Sequence, residues 1–262
     1  MSLLAVRDLS KRFGGVNALA GVTFTVEPGQ VLGIIGPNGA GKTTLLNCIS
    51  GLTRPDAGDI RWDDRSISGM PAYRIARLGI GRTFQIVRPF PSMTVRENTA
   101  MGGLFGRPDG RLQPAAALKA ADEVIDLVGL GEKRHHAVLR LTVPDRKRLE
   151  VARALAMHPR LLLLDEVMAG LNQVEVEQAL TMVRRVQEGG VTIVLIEHVM
   201  SVIVGVCTHA LVLNFGRTLI EGPPAEVLND PRVIEAYLGE RYARRQQPPP
   251  APPSKGDGNA QA

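Results

Sequence analysis

The sequence predicts an α/β fold whose core sheet is mostly parallel. Three stretches carry that expectation. Val31–Ile35 is an apolar run that passes through a glycine-rich turn into a helical pattern at Leu45–Ser50. Leu161–Leu164 is an unbroken run of leucines closed by Asp165-Glu166, as expected of a strand buried on both faces of a parallel sheet. Thr192–Ile196 is a third such run, ending at Glu197-His198. Strands that alternate with helices are the sequence pattern of a sheet covered by helices on both faces.

The elements follow in order. Residues 3–27 read as two strands around Gly14-Gly15, with period-two alternation in Val22–Val26. Between Val31–Ile35 and the next helix lies Gly36-Pro37-Asn38-Gly39-Ala40-Gly41-Lys42-Thr43-Thr44, which fits the phosphate-loop pattern G-x-x-x-x-G-K-[ST]. Its glycines let backbone N–H groups turn inward toward an anion, and the loop runs into a helix N-terminus, whose unpaired N–H groups favour negative charge. Lys42 reaches for the β- and γ-phosphates and the Thr43 hydroxyl for Mg²⁺. Pro55-Asp56-Ala57-Gly58 is a turn, Ile60–Trp62 a short strand with Trp62 packed, and in Gly81-Arg82-Thr83-Phe84-Gln85 the glutamine stands just after a short apolar strand. By residue type alone, Gln85 is an ordinary surface amide before it is a ligand for Mg²⁺ or water.

From residue 86 the chain changes character, and about 86–158 reads as a helical insert. Thr94 opens a helix as N-cap, with Glu97 completing a capping box. Gly102–Gln113 reads as a flexible loop and Ala115–Leu130 as an amphipathic helix. His135-His136 has no third ligand nearby and reads as a surface pair. Val151–Ala156 is a helix stopped by Pro159. At the end of the leucine strand, Asp165 is placed to hold Mg²⁺ through water, and Glu166 to polarise a water against a γ-phosphate. Val174–Val186 is a helix, and His198 stands at a third parallel strand end, within reach of a γ-phosphate. Leu211–Leu213 and Thr218–Ile220 are strands, and a helix through Tyr237 closes the fold. Residues 241–262 read as a disordered Pro-rich tail. Phe13 either stacks on a nucleobase or packs as a core aromatic.

Composition narrows the class. The net charge is +5, but no stripe interleaves basic and aromatic residues, so nucleic acid is not expected as a partner. The N-terminus lacks a signal peptide's basic-then-apolar order. Val191–Leu213 is interrupted by Glu197, His198 and His209, too often for a membrane span. Cys48 and Cys207 read as small buried side chains rather than a disulfide, which suits a reducing compartment.

The order Gly36–Thr43, Gln85, Asp165-Glu166 and His198, with a helical insert between, resembles the ATP-binding cassette of ABC transporters. Arg82-Thr83-Phe84-Gln85, Ala169-Gly170-Leu171-Asn172 and Pro231–Gly239 look like the ATPase subunits of branched-chain amino-acid importers. The resemblance spans residues 3–240, so that 1–240 is expected to form the cassette. It implies an α/β phosphate-loop nucleoside-triphosphatase (P-loop NTPase) fold with a mostly parallel core sheet, an antiparallel β subdomain and a helical subdomain. It implies ATP and Mg²⁺ as ligands. ATP would be bound by Gly36, Pro37, Asn38, Gly39, Ala40, Gly41, Lys42, Thr43 and Thr44, with Phe13 against the adenine. Thr43, Gln85 and Asp165 would serve the metal, Glu166, His198 and Gln85 catalysis, with Gln85 also linking the nucleotide site to membrane subunits. It implies a peripheral protein at the cytoplasmic face of the membrane, working with a second ATPase subunit, two permeases and, indirectly, a solute-binding protein. Lipid-export cassettes share the core motifs and stand as the alternative. Non-transport cassettes usually carry coiled-coil insertions, zinc modules or a second cassette, none of which this sequence contains.

One segment departs from the family. Its signature is Leu-Ser-Gly-Gly-Gln, and this chain has Leu141-Thr142-Val143-Pro144-Asp145. Thr142 keeps the hydroxyl, Val143 and Pro144 replace both glycines, and Pro144 has no N–H to give a phosphate. Asp145 is expected to set a negative charge where the phosphate approaches. A heterodimer follows as the expectation, with another cassette supplying an intact signature to this chain's phosphate loop. Val167 replaces the usual Pro after Glu166.

Overall fold

The computed structural model describes residues 2–85 and 88–237. Ile86, Val87 and the expected tail at 241–262 lie outside the described residues. In chain order, β1 (Leu4–Phe13) and β2 (Val16–Val26) form an antiparallel hairpin, and β3 (Val31–Ile35) leads through the phosphate loop into α1 (Lys42–Ile49). β4 (Ala57–Trp62), β5 (Arg65–Ser66), α2 (Ala72–Arg77) and β6 (Ile80–Arg82) follow. The insert holds α3 (Val95–Phe105), α4 (Pro114–Leu127) and α5 (Val143–Leu155). Then come β7 (Leu161–Asp165), α6 (Gln173–Glu188), β8 (Thr192–Ile196), α7 (Met200–Val206), β9 (His209–Asn214), β10 (Arg217–Gly222) and α8 (Pro224–Leu228).

Two sheets result. One is antiparallel, in the order β2-β1-β4-β5; the other runs β10-β9-β3-β8-β7-β6, parallel except for the β9–β10 pair. The expected division into a parallel core, an antiparallel sheet and a helical insert is what the chain forms.

The leucine run explains the layering. Side chains alternate between the faces of a strand. Leu161 and Leu163 join α1 and the antiparallel sheet in one core, with Leu45, Ile49, Val22 and Phe24. Leu162 and Leu164 face the other way, into a second core with Leu149 and Leu155 of α5 and Val183 of α6. No position on β7 has a solvent face, so none carries a polar side chain before Asp165. The parallel register pairs Asp165 with Ile196 and Ile34 with Ile196, so β3, β7 and β8 end at one rim. That rim is where open α/β sheets bind ligands.

Two expectations are corrected. Gly102 and Gly103 belong to α3, not to a flexible loop. A Cβ on Gly102 would stand 2.3 Å from the Arg153 carbonyl oxygen, so glycine there permits close packing of α3 on α5. The helix read at Val151–Ala156 starts at Val143, because Thr142 caps it. The Thr94–Glu97 capping box forms as read, with Thr94 N donating to Glu97 Oε2 at 2.7 Å. Trp62 is buried, and both cysteines are buried free thiols.

Candidate functional site

The phosphate loop is shaped by what lies behind it. Gly36 has φ 147° and Gly41 φ 102°, and a Cβ at either would meet backbone, at 2.1 Å from Leu213 O and 2.3 Å from Ala18 O. Only glycine fits both places. The loop N–H of Gly36 donates to Tyr237 Oη at 2.7 Å, and Gly216 N donates to Ala40 O at 3.0 Å. Lys42 is buried, and its ammonium donates to Gly36 O at 2.7 Å and Pro37 O at 2.9 Å, which lays it along the loop. Thr43 is exposed beside it.

Asp165 closes β7. Its Oδ2 accepts from Arg82 Nη2 at 3.1 Å, with both side chains buried, and Arg82 Nη1 donates to Ser50 Oγ at 2.7 Å. Burial pushes the Asp165 carboxyl above the ordinary range, against the pull of Arg82 and Lys42. Its Oδ1 is buried without a hydrogen-bond partner. An orphaned carboxylate oxygen in a cleft that Thr43 and Gln85 also line suits a hard cation, which takes oxygen ligands. The residues therefore fit Mg²⁺. That cleft has a volume of about 470 Å³, and Phe84, Arg88, Glu150 and Arg153 complete much of its wall.

Glu166 is the next residue, and the chain turns sharply at it, with φ 52°. Its carboxylate is gripped from two sides. Gln85 Nε2 donates to Oε2 at 2.9 Å, and His198 Nε2 lies 2.6 Å from Oε1. The residues read from three separate strand ends thus meet on one carboxylate. Phe13 is 52% exposed at the end of β1, which removes the core reading. It pairs with Val16, two residues along β2 from the Ala18 carbonyl that backs Gly41. Lys11 Nζ stands 5.3 Å from its ring centre.

The divergent segment is a well-made helix start. Thr142 is the N-cap of α5, and its Oγ1 accepts from Asp145 N at 3.3 Å. Pro144 sits in the first turn, where a missing N–H costs the helix nothing. The expectation that Asp145 presents its charge to a phosphate is overturned. It is 5% exposed, and its Oδ2 accepts from Lys133 Nζ at 2.6 Å and from Thr142 Oγ1 at 2.7 Å. Burial works to raise this carboxyl, but the hydrogen bonds from Lys133 and Thr142 outweigh it and hold it below the ordinary range. Asp145 is an ionised structural tie between the start of α5 and the turn at Lys133.

Three neighbours of the site went unassigned from sequence. Arg82 was legible only as part of a family motif, Lys147 as one charge in a basic run, and Glu197 as a strand-end residue. The one available signal was a carboxylate directly continuing the apolar run of β8.

Comparison with known proteins agrees with this geometry. The family model described as "ABC transporter" matches residues 19–169, and that described as "Branched-chain amino acid ATP-binding cassette transporter" matches residues 217–243. The chain is 40% identical over 250 residues to the high-affinity branched-chain amino acid transport ATP-binding protein BraF of Pseudomonas aeruginosa, covering 91% of this chain and 98% of that one. It is 34% identical to the lipopolysaccharide export system ATP-binding protein LptB of Haemophilus influenzae, covering 92% of this chain and 99% of that one. Among solved structures, the ADP conformation of MJ1267, an ATP-binding cassette of an ABC transporter, superposes with a TM-score of 0.80 at 29% identity, covering 91% and 99% of the two chains. Among the described residues, no helix is long and apolar enough to cross a membrane.

Proposed function

The chain belongs to the ABC transporter ATP-binding family, whose cassettes hydrolyse ATP to drive transport, and we propose that this one powers an importer of branched-chain amino acids or related small polar solutes. The observation that carries the chemistry is the Glu166 carboxylate, held between Gln85 and His198 at the sheet rim beside the phosphate loop. Gly36–Thr44 binds the ATP phosphates, Lys42 meets the β- and γ-phosphates, and Phe13 stacks on the adenine. Glu166 accepts a proton from the water that attacks the γ-phosphorus as the bond to ADP breaks. His198 orients that carboxylate and touches the γ-phosphate; Gln85 holds its other oxygen. Mg²⁺, held by Thr43, Asp165 and Gln85, would neutralise charge on the β- and γ-oxygens.

The cassette comprises residues 1–240, with its helical part at about 86–158. It sits at the cytoplasmic face of the membrane on two permeases, which work with a solute-binding protein. The cleft near Gln85 and Phe90 receives a permease helix. Phe90 is partly exposed, Asn98 Oδ1 fixes its backbone N–H at 2.8 Å, and Arg153 lies 5.2 Å from its ring centre.

The second cassette of the pair is a different protein. At the start of α5, Thr142 Oγ1 already holds the Asp145 N–H, and Pro144 has none. Two of the amides that would receive a phosphate are therefore withheld. This chain's own loop, Asp165, Glu166 and His198 are complete, so they gain from a partner with an intact signature. The LptB relative, at 34% against 40% for BraF, favours lipid export less. Purification of the tagged chain from its membrane tests the reading. Two permeases, a second cassette and uptake of leucine-like solutes are expected, together with a cross-link from a cysteine at Phe90 to a permease. Lipid-export partners, or no membrane partner, overturn it.

A further inference from the structure

Glu166 holds a backbone conformation that side-chain-bearing residues rarely adopt, with φ 52°. Such a conformation is strained and persists only where the surroundings impose it. What imposes it here is a set of backbone hydrogen bonds over residues 166–169. Glu166 N donates to Ile196 O at 3.0 Å, and Ala169 N donates back to Glu166 O at 3.3 Å. Two side chains from other elements complete the set.

The first is Glu197. It is 1% exposed, and its Oε1 accepts from the Met168 N–H at 2.8 Å, while Oε2 is buried without a partner. Met168 is itself buried, so without Glu197 its amide would be a buried donor left unpaired. The second is Lys147, in the second turn of α5. Its ammonium donates to Glu166 O at 3.4 Å and to Ala169 O. A buried carboxylate on one side and an ammonium on the other thus hold one short segment. Neither touches the carboxylate of Glu166, and neither faces the phosphate loop in any contact described above.

Resting on the reading of Glu166 as the hydrolytic carboxylate, we propose that Glu197 and Lys147 are its positioning residues, fixing the backbone of 166–169 so that the Glu166 side chain stays between Gln85 and His198. Lys147 also ties that segment to the helix that Thr142 caps. The divergent segment and the hydrolytic carboxylate are therefore joined within one subunit, and a shift of α5 moves Glu166. Glu197 plays the same part for β8, since it directly follows Ile196 at the end of that strand and precedes His198.

The test is steady-state ATP hydrolysis by the full chain assembled with its membrane subunits. Glu197→Ala and Lys147→Met should each lower kcat on the order of tenfold to a hundredfold, the cost of a small misplacement of a reacting group. KM for ATP should stay within about twofold, because the phosphate loop is untouched. Glu197→Gln keeps an acceptor for Met168 N and offers a donor at the vacant oxygen's place, so it should recover most of the lost rate. Lys147→Arg should recover part of it. An unchanged kcat in Lys147→Met, a KM that rises in step with the fall in kcat, or a Glu197→Gln no better than Glu197→Ala overturns the proposal. If Glu197→Ala does not fold, Lys147→Met and Glu197→Gln still decide, since a kcat loss in Glu197→Gln as large as that in Lys147→Met counts against it. Absence of hydrolysis in the unmodified complex would instead strike at the function itself.

Discussion

His198 Nε2 lies 2.6 Å from Glu166 Oε1, and Gln85 Nε2 donates to the other oxygen of the same carboxylate at 2.9 Å. A carboxylate with both oxygens engaged is aimed rather than free to rotate. Removing its charge while keeping its shape isolates its role. Glu166→Gln should leave ATP binding intact and slow turnover by ~10²-fold or more, as for loss of a general base. Lys42→Ala should weaken ATP binding instead. Equilibrium binding of a fluorescent ATP analogue, set beside single-turnover hydrolysis, separates the two. Unchanged turnover in Glu166→Gln would remove the assignment.

Asp145 is a matter of stability before it is one of activity. It is buried, and Lys133 and Thr142 both donate to its Oδ2. Asp145→Ala removes an anion from the first turn of α5 and leaves Lys133 without that partner. Loss of a hydrogen bond to a charged group costs roughly 1.5–3 kcal/mol, and the change in urea midpoint should report a loss of that order. A variant as stable as the parent would show that the tie contributes nothing.

The blocked helix start at Thr142–Pro144 predicts unequal sites in the assembled pair. Glu166→Gln here should abolish most hydrolysis of the whole complex, and the matching change in the partner cassette should do less. Rebuilding Ser-Gly-Gly at 142–144, with the buried Asp145 tie kept, should raise activity at the partner's site alone. A fully active homodimer of this chain, or a partner carboxylate that proves the essential one, would contradict it.

Glu197 predicts a pH dependence of stability. Burial pushes its carboxyl from an ordinary 4.5 up to about 7, the Met168 amide and Lys147 only partly offsetting this while Glu166 adds to it. The folded protein therefore holds this proton more tightly than the unfolded chain. The stabilisation is fully present below about 4.5 and is lost as pH rises through about 7. A tenfold difference in proton affinity between the two states corresponds to about 1.4 kcal/mol, which sets the scale. The unfolding free energy of the parent should thus fall relative to that of Glu197→Gln between pH 5 and pH 8. Parallel curves for the two proteins would mean that Glu197 does not titrate in this range.

The sequence by itself determined what short-range physics dictates. The phosphate loop was legible because its glycines and Lys42 stand at fixed spacing, and β7 because leucines on both faces admit only a strand covered on both sides. The Thr94–Glu97 capping box was legible because its partners are three residues apart. The strand ends carrying Gln85, Glu166 and His198 were identified one at a time, from the family resemblance and the apolar runs before them. That they share a single carboxylate was decided by the tertiary structure, since Gln85 and Glu166 are 81 positions apart and only the parallel register of β6, β7 and β8 joins them. The tertiary structure also placed Gly102 inside a helix, and showed why it is glycine: α5 passes too close for a side chain. It turned Asp145 from a surface charge into a buried tie, because Lys133 folds back onto the start of α5. Local pattern states what a residue can do; which groups surround it, and so whether a charge is exposed, paired or buried, is fixed only when distant parts of the chain pack together.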